Sequence, residues 1–161
     1  MRKSLEAVSL AFLTFLFQIT WQAFHGTTPL PSKVPTHFDA AGNANAWGSP
    51  GTLWFLPIVA VALYLFITAI SFVPVGDKKT ALLTPQARAR LQALTRQMTA
   101  WLKLELVCLF TCIQWFILKS VREGAGGLPK VVMPIFLVAV FANVVWHMVA
   151  IRRATRPASN Q

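Results

Sequence analysis

The chain has 161 residues, of which 55% are hydrophobic and only 12% charged, and it carries a formal net charge of +10. A soluble domain of this size coats itself with about twice that share of charged residues, so a water-exposed globular surface is excluded. Nucleic-acid binding, the ready reading of a basic chain, is excluded by distribution: the Lys and Arg residues lie in short polar segments between long apolar ones, not along one basic face.

A helix crosses the ~30 Å hydrocarbon layer with about 20 mainly apolar residues, and four segments meet this, at about 5–24, 53–73, 101–118 and 131–151. The expected fold class is all-α, a single four-span membrane domain built as a four-helix bundle. The first segment follows Arg2 and Lys3 as a signal peptide would. It is longer than the ~7–15 residues of a signal core and no small-x-small site follows it, so it reads as a retained helix. In the second and fourth segments Pro57 and Pro134 fall in the first turns, where a missing N–H is least costly, and Pro74 and Gly76 close the second.

The charges between the segments predict the orientation. Arg2, Lys3, Lys78, Lys79, Arg88, Arg90, Arg96, Arg152, Arg153 and Arg156 fall on one side, and Lys33, Lys119, Arg122 and Lys130 on the other. The excess marks the cytoplasmic side, so both termini and the middle connector are expected in the cytoplasm of a cell with a bacterial inner membrane. Residues 77–99 read as a basic connector helix, begun by Thr84 as cap and Pro85 at the first helical position. The alternative is a plain solvated connector. Gly124 to Pro129 reads as a turn, and the tail after Arg156 as a polar extension. Trp21, Trp47, Trp54, Trp101, Trp115 and Trp146 lie near segment ends, as an aromatic belt requires.

Residues 25–52 form the outer connection between the first two spans. They are dense in turn formers: Pro29, Pro31, Pro35, Gly42, Asn43, Asn45 and Gly48. A connection of this length is more often functional than incidental. The prolines stiffen the approach, Asp39 caps a turn, and Gly42 permits a left-handed residue. An ordered loop is expected, with Val34, Phe38 and Trp47 packed on the helix ends. The run LPSKVPTHFDAAGNANAWGS, with Leu30-Pro31, Val34-Pro35, His37-Phe38, Gly42 and Trp47-Gly48 in order, resembles a bacterial membrane domain-of-unknown-function family. That domain is shared with the N-terminal part of SdpI-type bacteriocin-immunity proteins. The resemblance implies a multi-pass membrane protein with an outer His-Phe loop, and beyond that immunity to a secreted toxin.

Two sets of residues are candidates for a site. On the outer loop, His25, His37, Phe38, Asp39 and Trp47 are candidates for binding a partner or an ion. A divalent metal, the one cofactor these residues suggest, would take His37 and Asp39, with His25 as a third ligand. The alternative is a loop held by a His–Asp or His–backbone hydrogen bond. Within the spans, Lys103 and Glu105 lie at a depth matched by Asn143 and His147 on an antiparallel neighbour. An intramembrane polar cluster is expected there, because charges in a span seek partners. The alternative is that Lys103 snorkels to the interface while Glu105 makes one structural bond. Gln18, Gln22 and Gln114 are expected to bond between helices, and Cys108 and Cys112 to serve packing.

The sequence has no nucleophile flanked by glycines, no phosphate-cradling loop and no paired carboxylates. The reading is a small non-enzymatic protein, embedded in the lipid bilayer, that binds a peptide toxin or a larger membrane complex through the outer loop. The alternative is a membrane-embedded metal-dependent enzyme using the outer His/Asp cluster.

Overall fold

The structure is a computed structural model and describes residues 2–73, 83–124 and 127–155. Pro74, Gly76, Lys78, Lys79, Arg156 and the tail lie outside the described residues. Among the described residues four helices are long and apolar enough to cross a membrane, the architecture of a multi-pass membrane protein. Helix α1 spans Arg2–His25, α2 Phe55–Phe72, α3 Pro85–Glu123 and α4 Val132–Thr155. A 3-10 turn, Pro50–Trp54, leads into α2. The one departure from an all-helical chain among the described residues is an antiparallel hairpin, β1 Val34–Phe38 and β2 Ala44–Gly48, inserted between α1 and α2.

Helix α3 is the hub. Its 39 residues reach about 58 Å, nearly twice the ~30 Å hydrocarbon thickness, so the connector from Pro85 onward and the residues read as the third span form one unbroken rod. Thr84 caps its start, its Oγ1 accepting the Ala87 N–H at 3.2 Å. Gly124, with φ of +65°, ends it in a left-handed residue. Both α1 and α2 pack on α3, and α4 packs on α3 far more than on any other helix. The burial shows the consequence: 33% of the most apolar α3 window is covered, but 6% of that of α4. The uncovered positions are apolar, among them Ile58, Phe66, Val138 and Phe141, as side chains facing lipid must be.

The hairpin sits over the ends of the bundle where α1 and α3 finish. Val34 is fully buried there among Ile19, Ala23, Leu53, Ile117 and Leu118, with Leu30 and Phe38 packed alongside. Trp47 differs from expectation: its side chain is 57% exposed. The apolar contact beneath the hairpin is already supplied by Val34, Pro35 and Phe38, and Trp47, opposite Pro35 in register, is left projecting.

The hairpin tip is tied to the α3–α4 connection. Gly42, with φ of +82°, lies so close to Leu128 that an added Cβ would overlap the Leu128 carbonyl oxygen, and a Cβ on Gly127 would overlap the Gly42 carbonyl oxygen. In return the Leu128 N–H donates to the Gly42 carbonyl at 3.0 Å. Gly42→Ala is therefore expected to lift the tip from this contact and lower stability by ~2 kcal/mol or more, combining the left-handed penalty with the overlap. Thermal unfolding in detergent checks this; an unchanged midpoint would show that the contact does not hold the tip.

Candidate functional site

The outer-loop candidates take separate partners. His25 closes α1, stacked on Trp21 with centroids 3.8 Å apart, and its Nδ1–H donates to the Trp21 carbonyl at 3.0 Å. His37 lies within β1, and its Nδ1 is hydrogen bonded to Asn45 Oδ1 across the hairpin. Asp39 lies beyond the strand, in the turn. Its Oδ1 accepts the Ala41 and Asn43 N–H groups at 2.8 and 2.9 Å, and Oδ2 has a weaker 3.5 Å contact with Asn43 Nδ2. The backbone N–H of Asn43, with help from the Asn43 side chain and the Ala41 N–H, holds the Asp39 carboxyl below the usual carboxylate range. Among the described residues no group of three or more His, Cys, Asp or Glu is placed to hold a metal ion.

Two recesses flank the hairpin. A cavity of about 800 Å³ lies beneath β1, between it and the starts of α2 and α4, lined by His37, Phe38, Asp39, Leu56, Ile113 and Met133 among others. On the other side a groove of about 520 Å³ runs between Trp47, Lys33 and the end of α3. Phe38 is partly buried and packs on the core, so it supports the first recess from within.

The intramembrane candidates divide. Lys103, 2% exposed, faces α1 and α2. Its Nζ donates to Glu6 Oε1 and Oε2 at 2.6 and 2.7 Å and to Thr68 Oγ1 at 3.0 Å, and it lies 4.6 Å from the Tyr64 ring centroid. Tyr64 in turn donates to Glu6 Oε2 at 2.7 Å. All three ammonium protons are used, so Lys103 does not snorkel. Glu105 faces α4: Asn143 Nδ2 donates to its Oε2 at 3.1 Å, and His147, buried one turn further on, donates from Nδ1 to the Asn143 carbonyl at 2.9 Å. Glu105, Asn143 and His147 thus share one shallow cleft of about 390 Å³ on the α3–α4 face, and Lys103 is not part of it.

Sequence reasoning missed Glu6, Tyr64 and Thr68. The signal was present: Glu6 is a carboxylate in the first apolar segment and Tyr64 is the only tyrosine, in mid-span, and each needs a partner in hydrocarbon. Of the three glutamines, Gln114 bonds between helices, its Nε2 donating to Thr20 Oγ1 at 2.9 Å and to the Leu53 carbonyl at 3.1 Å. Cys108 is exposed on α3 and Cys112 partly so.

Lys103→Met is expected to destabilise the bundle by about 3 kcal/mol, because it leaves the Glu6 carboxylate without its cation. The double variant Glu6→Gln with Lys103→Met should recover most of that loss. Thermal unfolding of the purified variants reads both; a double variant as weak as the single would show that the charge pair is not the source.

Residues 10–61, from within α1 through the hairpin to the first turns of α2, match the model of a family described as a domain of unknown function (DUF1648). No curated protein and no solved structure matches the chain. The run from Leu30 to Ser49 that carries the family resemblance lies wholly inside that match.

Proposed function

We infer that the protein is a non-enzymatic component of a bacterial inner membrane, with both termini in the cytoplasm and the hairpin on the outer face, where it binds a peptide or a membrane-protein partner. The observation that carries this reading is the projection of Trp47 from an anchored hairpin. A large aromatic held out on a rigid support beside a groove is the usual anchor of a recognition surface. His37, fixed by Asn45, presents its ring from the neighbouring strand.

The basic residues support the orientation. Ten of the chain's Lys and Arg residues fall in the sequence before the first span, between the second and third or after the fourth, against four in the connections on the hairpin's side. Anionic lipid and the insertion machinery retain such an excess inside. The likeness of the hairpin motif to SdpI-type immunity proteins makes a secreted peptide toxin one fitting partner, and a larger membrane complex the other.

Photo-crosslinking tests the reading in living cells. Benzoylphenylalanine in place of Trp47 is expected to give one discrete adduct, weakened at least several-fold by His37→Ala while the protein stays abundant in the membrane. The same probe at the lipid-facing Phe66 should give none. Equal or diffuse labelling from both positions would rule out a specific partner at the hairpin. A C-terminal alkaline phosphatase fusion should be inactive; an active one would invert the orientation.

A further inference from the structure

The cavity beneath β1 has a chemical asymmetry that the peptide-binding reading does not use. Its floor is apolar but for Gln114, with Leu56, Ile113 and Ile117 forming the rest, and it continues outward to Phe55, Ile58 and Met133, which are 66, 61 and 42% exposed. Those three lie on the lipid-facing starts of α2 and α4, which do not form one of the closely packed helix pairs. The cavity therefore opens sideways into the bilayer, not only toward water. Its rim is polar, formed by Thr36, His37, Asp39, Ser49 and Thr52.

The charge of that rim runs against the rest of the molecule. The chain carries +10 overall, yet among the described residues no Lys or Arg lines this cavity, and Asp39 is its one acidic residue. Asp39 is ionised in this turn, and its Oδ2, with no more than the 3.5 Å Asn43 contact, keeps lone pairs for a further donor. In the neutral His37 ring, with Nδ1 turned to Asn45 Oδ1, Nε2 is a second acceptor. An apolar floor open to lipid, below a rim with a carboxylate and no cation, fits an amphiphile whose head is a hydrogen-bond-donating cation. The volume of about 800 Å³ is in the range of small-molecule sites.

We propose that this cavity is a binding site for a phospholipid with a primary ammonium headgroup, phosphatidylethanolamine, the ammonium meeting Asp39 and His37 at the rim and an acyl chain lying along Leu56, Ile113 and Ile117. A quaternary ammonium carries no N–H to donate, and an anionic glycerol headgroup opposes the carboxylate, so both alternatives are disfavoured. This site lies on the other side of the hairpin from the Trp47 groove and shares only His37 with the partner reading, so its test runs through Asp39 and Ile113, which that reading does not use.

Native mass spectrometry of the delipidated full chain tests it, with phosphatidylethanolamine, phosphatidylcholine and phosphatidylglycerol of identical acyl chains added in turn. The first should bind about tenfold tighter than the other two, the scale of one charge-assisted hydrogen bond. Asp39→Asn keeps the Oδ1 acceptor for the Ala41 and Asn43 N–H groups and removes only the charge, so it should abolish the preference without unfolding the hairpin. Ile113→Trp, which fills the floor, should reduce binding of all three lipids. Equal binding of the three, or a preference that survives Asp39→Asn, overturns the headgroup assignment. Binding unchanged in a folded Ile113→Trp variant, judged by its thermal midpoint, places the lipid elsewhere and overturns the site.

Discussion

A lysine that is 2% exposed inside a membrane helix has to find acceptors within the protein, and the arrangement of the bundle follows from how Lys103 does so. Its two bonds to Glu6 fix α1 against α3, and its third, to Thr68, fixes α2 against the same point. Between lipid-facing helices there is no hydrophobic driving force to set such a register, because lipid tails are as apolar as leucine. Directional polar contacts do it instead. Gln114 repeats the device eleven residues further along α3, bonding to Thr20 of α1 and to the Leu53 carbonyl at the start of α2. Eleven residues are close to three full turns, so both contacts lie on one face of α3 and fix α1 and α2 at two heights.

The same periodicity explains why Glu105 parts company with Lys103. Residues two apart on a helix point to nearly opposite sides. If Lys103 faces α1 and α2, Glu105 must face away, and the helix it meets is α4, with Asn143 and His147. Matching depth alone, which is what a sequence gives, put the four residues together; the angle around α3 separates them. Assigning that angle needed the partner of Lys103, and Glu6 sits 97 positions away in the chain.

Much of the rest was readable because the bilayer imposes it. The apolar runs are long because the hydrocarbon layer is thick, and the helix ends follow from Thr84-Pro85 and from prolines in first turns, as local chemistry. The hairpin was harder to see. Its strands have five residues each, carry Pro35 within β1, and shift register on either side of His37, so no clean alternation marks them. The order of the loop was legible from its prolines and glycines, while the direction of Trp47 depended on the packing of Val34, Pro35 and Phe38 beneath it. Nor does spacing reveal that His37 and Asp39 serve different ends, one bracing the hairpin across its strands and the other closing its turn.

Sheet edges cannot lie in hydrocarbon, where their free N–H and C=O groups would have no partners, so the hairpin must stay at the level of the helix ends, and it is held there by both halves of the chain. Val34 ties its base to α1 and α3. Gly42 ties its tip to Leu128, four residues before the first residue of α4. This second tie matters because α4 has few other attachments: it packs mainly on α3 and buries a single side chain, His147, near its far end. Beyond its packing on α3, α4 is thus braced by the hairpin tip just before its start and by the Glu105–Asn143 bond at its middle. Whatever occupies the recesses under the hairpin acts beside the first of these, so the DUF1648-like segment meets the rest of the chain twice, through the core that Val34 and Leu53 share with Ile117 and Leu118 and through a glycine contact at the hairpin tip.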